Sequence, residues 1–163
     1  MTIPDKYRIG LHPRLIDAVE ELLNEALARK LRAQVYSGLR TFQEQSRLYA
    51  LGRTIKNPDG ASEKKPLGNI VTKADAGQSW HNYGCSVDIS FVNDKGTLFW
   101  PKDDDPRWLE LGQCGEVFGL EWGGRWHMFP DRPHFQKRGK FRNVQEAKAV
   151  YDKSGIDGVW GHL

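Results

Sequence analysis

Ser79-Trp80-His81-Asn82-Tyr83-Gly84-Cys85-Ser86-Val87-Asp88-Ile89-Ser90-Phe91-Val92 is the stretch on which the architecture turns. Its second half alternates. Val87, Ile89 and Phe91 fall on one side and Ser86, Asp88 and Ser90 on the other, the period of a strand with one buried face. Asp88 therefore points away from the apolar face. His81 stands seven residues earlier in a segment without that period, so an imidazole on a loop leads into a strand that carries a carboxylate.

Upstream, Leu15, Ile16, Val19, Leu22, Leu23, Ala26 and Leu27 recur at helical spacing from Pro13 to about Lys30. Pro13 suits the first turn, where its missing N–H costs nothing. Leu31, Ala33 and Val35 then alternate as a short half-buried strand that delivers Ser37-Gly38-Leu39-Arg40 to its end. Thr41 and Glu44 form a capping box for a second helix through Leu51, with Gly52 placed to stop it, so Arg40 sits at a strand-to-helix junction. Residues 53–79 lack periodicity and contain Asn57-Pro58-Asp59-Gly60, which predicts a long loop of the kind that often carries function. Downstream, Asp105-Pro106 opens a third helix to about Phe118, closed by Gly119, and Asn143 with Glu146 opens a fourth that ends near Gly155. Helices interrupted by separated short strands predict an α+β fold rather than a doubly wound sheet. The expectation is one small domain over residues 1–163, a short, mostly antiparallel sheet packed with helices, in which 137–163 are a C-terminal helical extension.

A chain of 163 residues fits one ordinary domain. Hydrophobic residues at 39%, charged residues at 28% and six tryptophans describe a soluble globular protein and exclude a disordered one. The formal charge of +3 is dispersed without a basic block, which gives no nucleic-acid signal and suits an acidic polymer such as a bacterial cell wall equally well. Met1 to Gly10 has no signal-peptide pattern and no apolar run reaches membrane-spanning length, so neither export nor membrane insertion is expected. Cys85 and Cys114 lie outside any Cys-x-x-Cys motif and read as two buried thiols in a reducing compartment.

The chemistry-bearing residues lie in two places, His81 through Asp88 and Asp131-Arg132-Pro133-His134-Phe135. Two imidazoles and one carboxylate are the three protein ligands of a catalytic zinc, whose fourth position is left for water. Asp131, three residues before His134, can lie near the metal without binding it and take a proton. Arg40 can neutralise an oxyanion or hold a substrate carboxylate. Spacing alone leaves ordinary alternatives open: a core histidine, a solvated aspartate, a plain turn at Asp131-Arg132-Pro133. Cys85 is a poor fourth ligand, because a thiolate would close the position water needs. His127 reads as groove-lining or structural, and His12 and His162 as solvent-exposed. Trp122 and Trp126 read as core before substrate platform, although Gly123-Gly124 suggests a groove wall. Gln45 and Tyr49 share a face of the second helix and could shape a substrate site.

Ser37-Gly38-Leu39-Arg40-Thr41, Glu44-Gln45, Leu48 to Thr54, Ser79 to Asp88, Glu121-Trp122-Gly123-Gly124 and Asp131 to Phe135 occur in one order. Together they resemble the M15 family of zinc peptidases, most of all its bacteriophage L-alanyl-D-glutamate endopeptidase (endolysin) branch. The family pattern Ser-x-His-x-x-Gly-x-x-x-Asp falls on Ser79, His81, Gly84 and Asp88, and its acidic-x-x-His pattern on Asp131 and His134. The resemblance implies a Hedgehog/DD-peptidase-like fold and Zn2+ held by His81, Asp88 and His134. Asp131 becomes the base and Arg40 the transition-state support; Gln45, Ser79, Trp122 and Trp126 are the residues expected around the substrate. It also implies a monomer that cleaves the peptidoglycan stem peptide in host lysis, made in the host cytoplasm and reaching the wall, the periplasm of a Gram-negative host, through a separate pore-forming protein. Alternatives are a D-alanyl-D-alanine carboxypeptidase or dipeptidase with the same metal site, and a non-catalytic wall-binding zinc fold. Cys85 and Ser86 stand where a larger apolar residue and an alanine are expected, which implies altered packing behind the ligand strand.

Overall fold

The computed structural model describes residues 2–163. A short helix, α1 (Asp5–Arg8), precedes α2 (Pro13–Ala28), whose stripe of Leu15, Ala18, Val19, Leu22, Leu23 and Ala26 is buried. His12 caps α2: its Nδ1 accepts the backbone N–H of Arg14 at 3.0 Å. The expected exposure of His12 is corrected here, because its ring is buried and meets Trp160 edge-on at 5.2 Å. Burial and the nearby Arg14 charge push its pKa down. His162 is exposed as expected.

Next come β1 (Ala33–Ser37) and α3 (Phe42–Ala50), with the Thr41–Glu44 capping box formed in both directions. After the long irregular segment, a single 3-10 turn at Trp80–Tyr83 leads into β2 (Ser86–Val92). Then follow β3 (Leu98–Phe99), α4 (Pro106–Val117), β4 (Glu121–Trp122), a 3-10 turn at Gly123–Arg125, β5 (His134–Gln136) and α5 (Val144–Trp160). The fold is α+β. Its sheet runs β1-β2-β5-β4, with β3 also on β2, and every pairing is antiparallel.

The sheet's apolar face, with Val35, Val87, Ile89, Phe91, Trp122 and Phe135, packs with α2 and α4 into one hydrophobic cluster. A second cluster joins Trp80, Tyr83 and Cys85 to Phe141, Ala147, Val159 and Leu163, so residues after 137 back the turn that carries His81. α5 does not stop at Gly155: that residue breaks the helix with φ 66°, ψ −163°, and helical chain resumes to Trp160. The break falls where glycine alone adopts such a conformation cheaply. On the ligand strand itself, Ser86 and Ser90 are fully buried. Ser90 Oγ donates to the Phe99 carbonyl at 2.7 Å, while Ser86 Oγ is the one buried side-chain polar atom without a hydrogen bond among the described residues. Both cysteines are buried and free, and burial pushes the Cys85 thiol up to about 12, so it is protonated. Among the described residues no helix is long and apolar enough to cross a membrane.

Candidate metal centre

Strand register builds most of the centre. Asp88 lies opposite His134 on β5 and opposite Ser37 on β1, so three polar side chains cross the sheet in one row. A register shift between Val35 and Ser37 brings both Tyr36 and Ser37 to the cleft, the re-aiming of side chains that a bulge provides. His81 enters from the 3-10 turn, which Ser79 caps by accepting the His81 N–H at 3.4 Å. Gly84 ends that turn at φ 64°, where a Cβ would lie 2.0 Å from the Gly10 carbonyl oxygen, so the turn cannot accept a side chain there.

Asp88 Oδ1 lies 3.2 Å from both His81 Nε2 and His134 Nδ1, and the candidate ligand atoms of the three residues are all within 4.8 Å of one another. The outward nitrogens are already engaged. His81 Nδ1 donates to the Gly38 carbonyl at 2.7 Å, and His134 Nε2 donates to Gln136 Oε1 at 3.0 Å. Those bonds assign the tautomers and leave three acceptors facing one point, an arrangement that a cation stabilises and that suits a divalent metal. Burial alone pushes the Asp88 carboxyl up, but the neighbouring imidazoles hold it well below the usual carboxylate range. For His134 burial lowers the pKa, and the hydrogen bond to Asp88 outweighs it and raises it.

The centre forms the floor of a cleft of about 540 Å³. Asp131 lines it, held by its N–H donating to the Gly123 carbonyl at 2.9 Å. Burial, reinforced by the Asp88 charge, pushes the Asp131 carboxyl up against the opposing pull of His134, His81 and Arg40. Arg40 also lines the cleft: Nη1 donates to Gln45 Oε1 at 2.8 Å, Nη2 to Ser37 Oγ at 3.3 Å, and Nη2 stands 3.5 Å from Asp88 Oδ2.

Of the residues expected around a substrate, Ser79 and Trp126 line the cleft, the Trp126 ring lying 5.2 Å from His134. Gln45 is fully buried behind Arg40 and holds the guanidinium rather than facing the cleft. Trp122 takes the core reading and not the substrate one. It is buried in the core cluster, its indole N–H donating to the Arg132 carbonyl at 2.7 Å, and its ring needs the missing Cβ of both Gly112 and Gly124, which would lie 2.2 Å and 2.1 Å from it. His127 is exposed and does not line the cleft, so its groove-lining reading is corrected too. Gln136 was not anticipated; it stands two residues after His134, and on a strand that spacing places both on one face.

The arrangement is that of a metal-dependent peptidase. A family model described as D-alanyl-D-alanine carboxypeptidase matches residues 72–137, the span that contains His81, Asp88, Asp131 and His134. The peptidoglycan L-alanyl-D-glutamate endopeptidase CwlK of Bacillus subtilis (strain 168) is 34% identical over 132 residues, covering 77% of this chain and 72% of that protein. With that likeness, the chain belongs to the M15 family of peptidases. Its fold is also that of the Serratia marcescens L-Ala D-Glu endopeptidase ChiX, at TM-score 0.57 and 22% identity over 81% of this chain and 84% of that one. The vancomycin resistance D,D-pentapeptidase VanY, solved in complex with Zn(II), matches at TM-score 0.55 and 16% identity over 97% and 93% of the two chains.

Proposed function

We propose that the chain is a zinc-dependent peptidoglycan hydrolase that cleaves the L-alanyl-D-glutamate bond of the stem peptide, with the metal held by His81, Asp88 and His134. The observation that carries this reading is the convergence of those three ligand atoms at the floor of a cleft that Asp131 and Arg40 also line. The choice of bond is supported by the endopeptidase relative at 34% identity. Bound zinc would supply Lewis-acid chemistry, polarising the scissile carbonyl and lowering the pKa of water. Asp131 takes the proton of the attacking water and returns it to the leaving amine, a task its raised pKa suits. Arg40 lends positive charge to the oxyanion from a guanidinium fixed by Gln45 and Ser37. Gly38 and Gln136 hold the two imidazoles in the tautomers that bind metal.

The same reading includes the biological role: a monomeric phage endolysin, made in the host cytoplasm and admitted to the wall by a separate pore-forming protein. The description of the matching family model favours a second reading, removal of terminal D-alanine. Digestion of purified peptidoglycan, with the new termini identified by mass spectrometry, tests the choice. Newly freed N-terminal D-glutamate is the expected result; loss of terminal D-alanine alone overturns it in favour of the carboxypeptidase.

A further inference from the structure

Lys73 stands on the wall of the cleft with a charge the fold leaves unneutralised. Its backbone is held in place. Thr72 Oγ1 accepts the Ala74 N–H at 3.2 Å, and the Ala74 carbonyl accepts Gln45 Nε2 at 2.6 Å. Because Gln45 Oε1 also accepts from Arg40, one buried amide sets the Lys73 segment and the Arg40 guanidinium in fixed relation. The ammonium reaches to the opposite bank, 4.6 Å from the centroid of the Phe129 ring, two residues before Asp131. Among the described residues no carboxylate lies within ion-pair range of it, and an aromatic face is a weak partner for a cation in water.

Arg40, the other cation of the cleft, is committed. Gln45, Ser37 and Asp88 engage its two terminal nitrogens at the floor. The cleft thus holds one cation tied to the metal centre and one available to a ligand.

The proposed substrate brings a charge of its own, and this step rests on the alanyl-glutamate reading. D-Glutamate in the stem peptide is acylated on its nitrogen and extended through its γ-carboxyl. Its α-carboxylate is therefore free, on the carbon bonded to the scissile nitrogen. At the floor, Asp88 and Asp131 offset the charge of a bound divalent metal and Arg40 is committed to Asp88, so the cation left to meet that carboxylate is Lys73. We infer that Lys73 binds this α-carboxylate and makes the enzyme select stem peptides that carry it over those in which it is a carboxamide. An ammonium on a flexible stem suits a carboxylate that arrives with the substrate, because it can leave the Phe129 ring to meet it.

The zinc-loaded protein is assayed on two synthetic peptides, N-acetyl-L-alanyl-γ-D-glutamyl-L-lysyl-D-alanine and its α-carboxamide counterpart, with products separated chromatographically. The wild type is expected to prefer the acid by about tenfold in kcat/KM, the scale of one charge-assisted contact. Lys73→Met brings the ratio to parity, chiefly through KM, and Lys73→Arg restores most of it. A preference that survives Lys73→Met, or a wild type without preference, overturns the assignment while leaving the bond choice intact. Cleavage of neither peptide at the alanyl-glutamyl bond overturns the bond choice and the assignment together.

Discussion

The two hydrophobic clusters support the metal centre in different ways. Beneath the sheet, strand pairing sets Asp88 against His134, so backbone hydrogen bonds position both. His81 instead rides on one 3-10 turn packed against Phe141, Ala147, Val159 and Leu163. Two proposed ligands thus follow from the sheet, and the third follows from how the C-terminal region docks. Damage to one cluster need not have the same consequence as equal damage to the other.

Removing a ligand from either side erases that distinction and gives the largest effect. His81→Ala and His134→Ala should each lose bound metal, measured by elemental analysis, and lower hydrolysis on the order of a thousandfold or more. Asp131→Ala should separate chemistry from binding: metal content stays at the wild-type level while kcat falls by about 10²–10⁴. Burial raises the Asp131 pKa and a neighbouring divalent metal would lower it; the base must be ionised, so kcat/KM should fall as pH drops through the carboxylate range. Gln136→Leu removes the acceptor for His134 Nε2 and should weaken metal affinity by about 10–100-fold in a chelator competition.

The smallest effect is the sharpest test of the comparison. Val19 and Val159 are both fully buried, one in each cluster, and truncation of either to alanine should cost about 1–3 kcal/mol in denaturant unfolding. Only Val159→Ala should also weaken metal binding, since it loosens the packing behind His81. Equal losses of affinity in the two variants would remove the contrast.

Sequence patterning exposed the long elements and the strand that carries Asp88, because a stripe or an alternation sustained over seven or more residues is hard to produce otherwise. β4 and β5, with two and three residues, have no room for a period, so the strand that carries His134 was not visible. Gln136 was missed for the same reason. Trp122 is ambiguous in sequence because Trp-Gly-Gly resembles a groove wall, whereas its ring is enclosed by the nearby Gly124 and by Gly112, ten residues away on α4. His12 misled because its partner, Trp160, is at the other end of the sequence. For β5 and for His12 the deciding contact is tertiary, and no local window contains it.

Asp88 and His134 are 46 residues apart, whereas His81 and Asp88 are separated by seven. An unfolded chain could offer a cation the nearer pair cheaply, but the third donor comes only after a long loop has closed at an entropic cost. Metal would therefore favour the completed fold over its precursors by mass action, adding about 1.4 kcal/mol for each tenfold excess of free metal over Kd. Zinc supply would then set how long the protein survives as well as how fast it works, and a starved population would be the first to meet proteases.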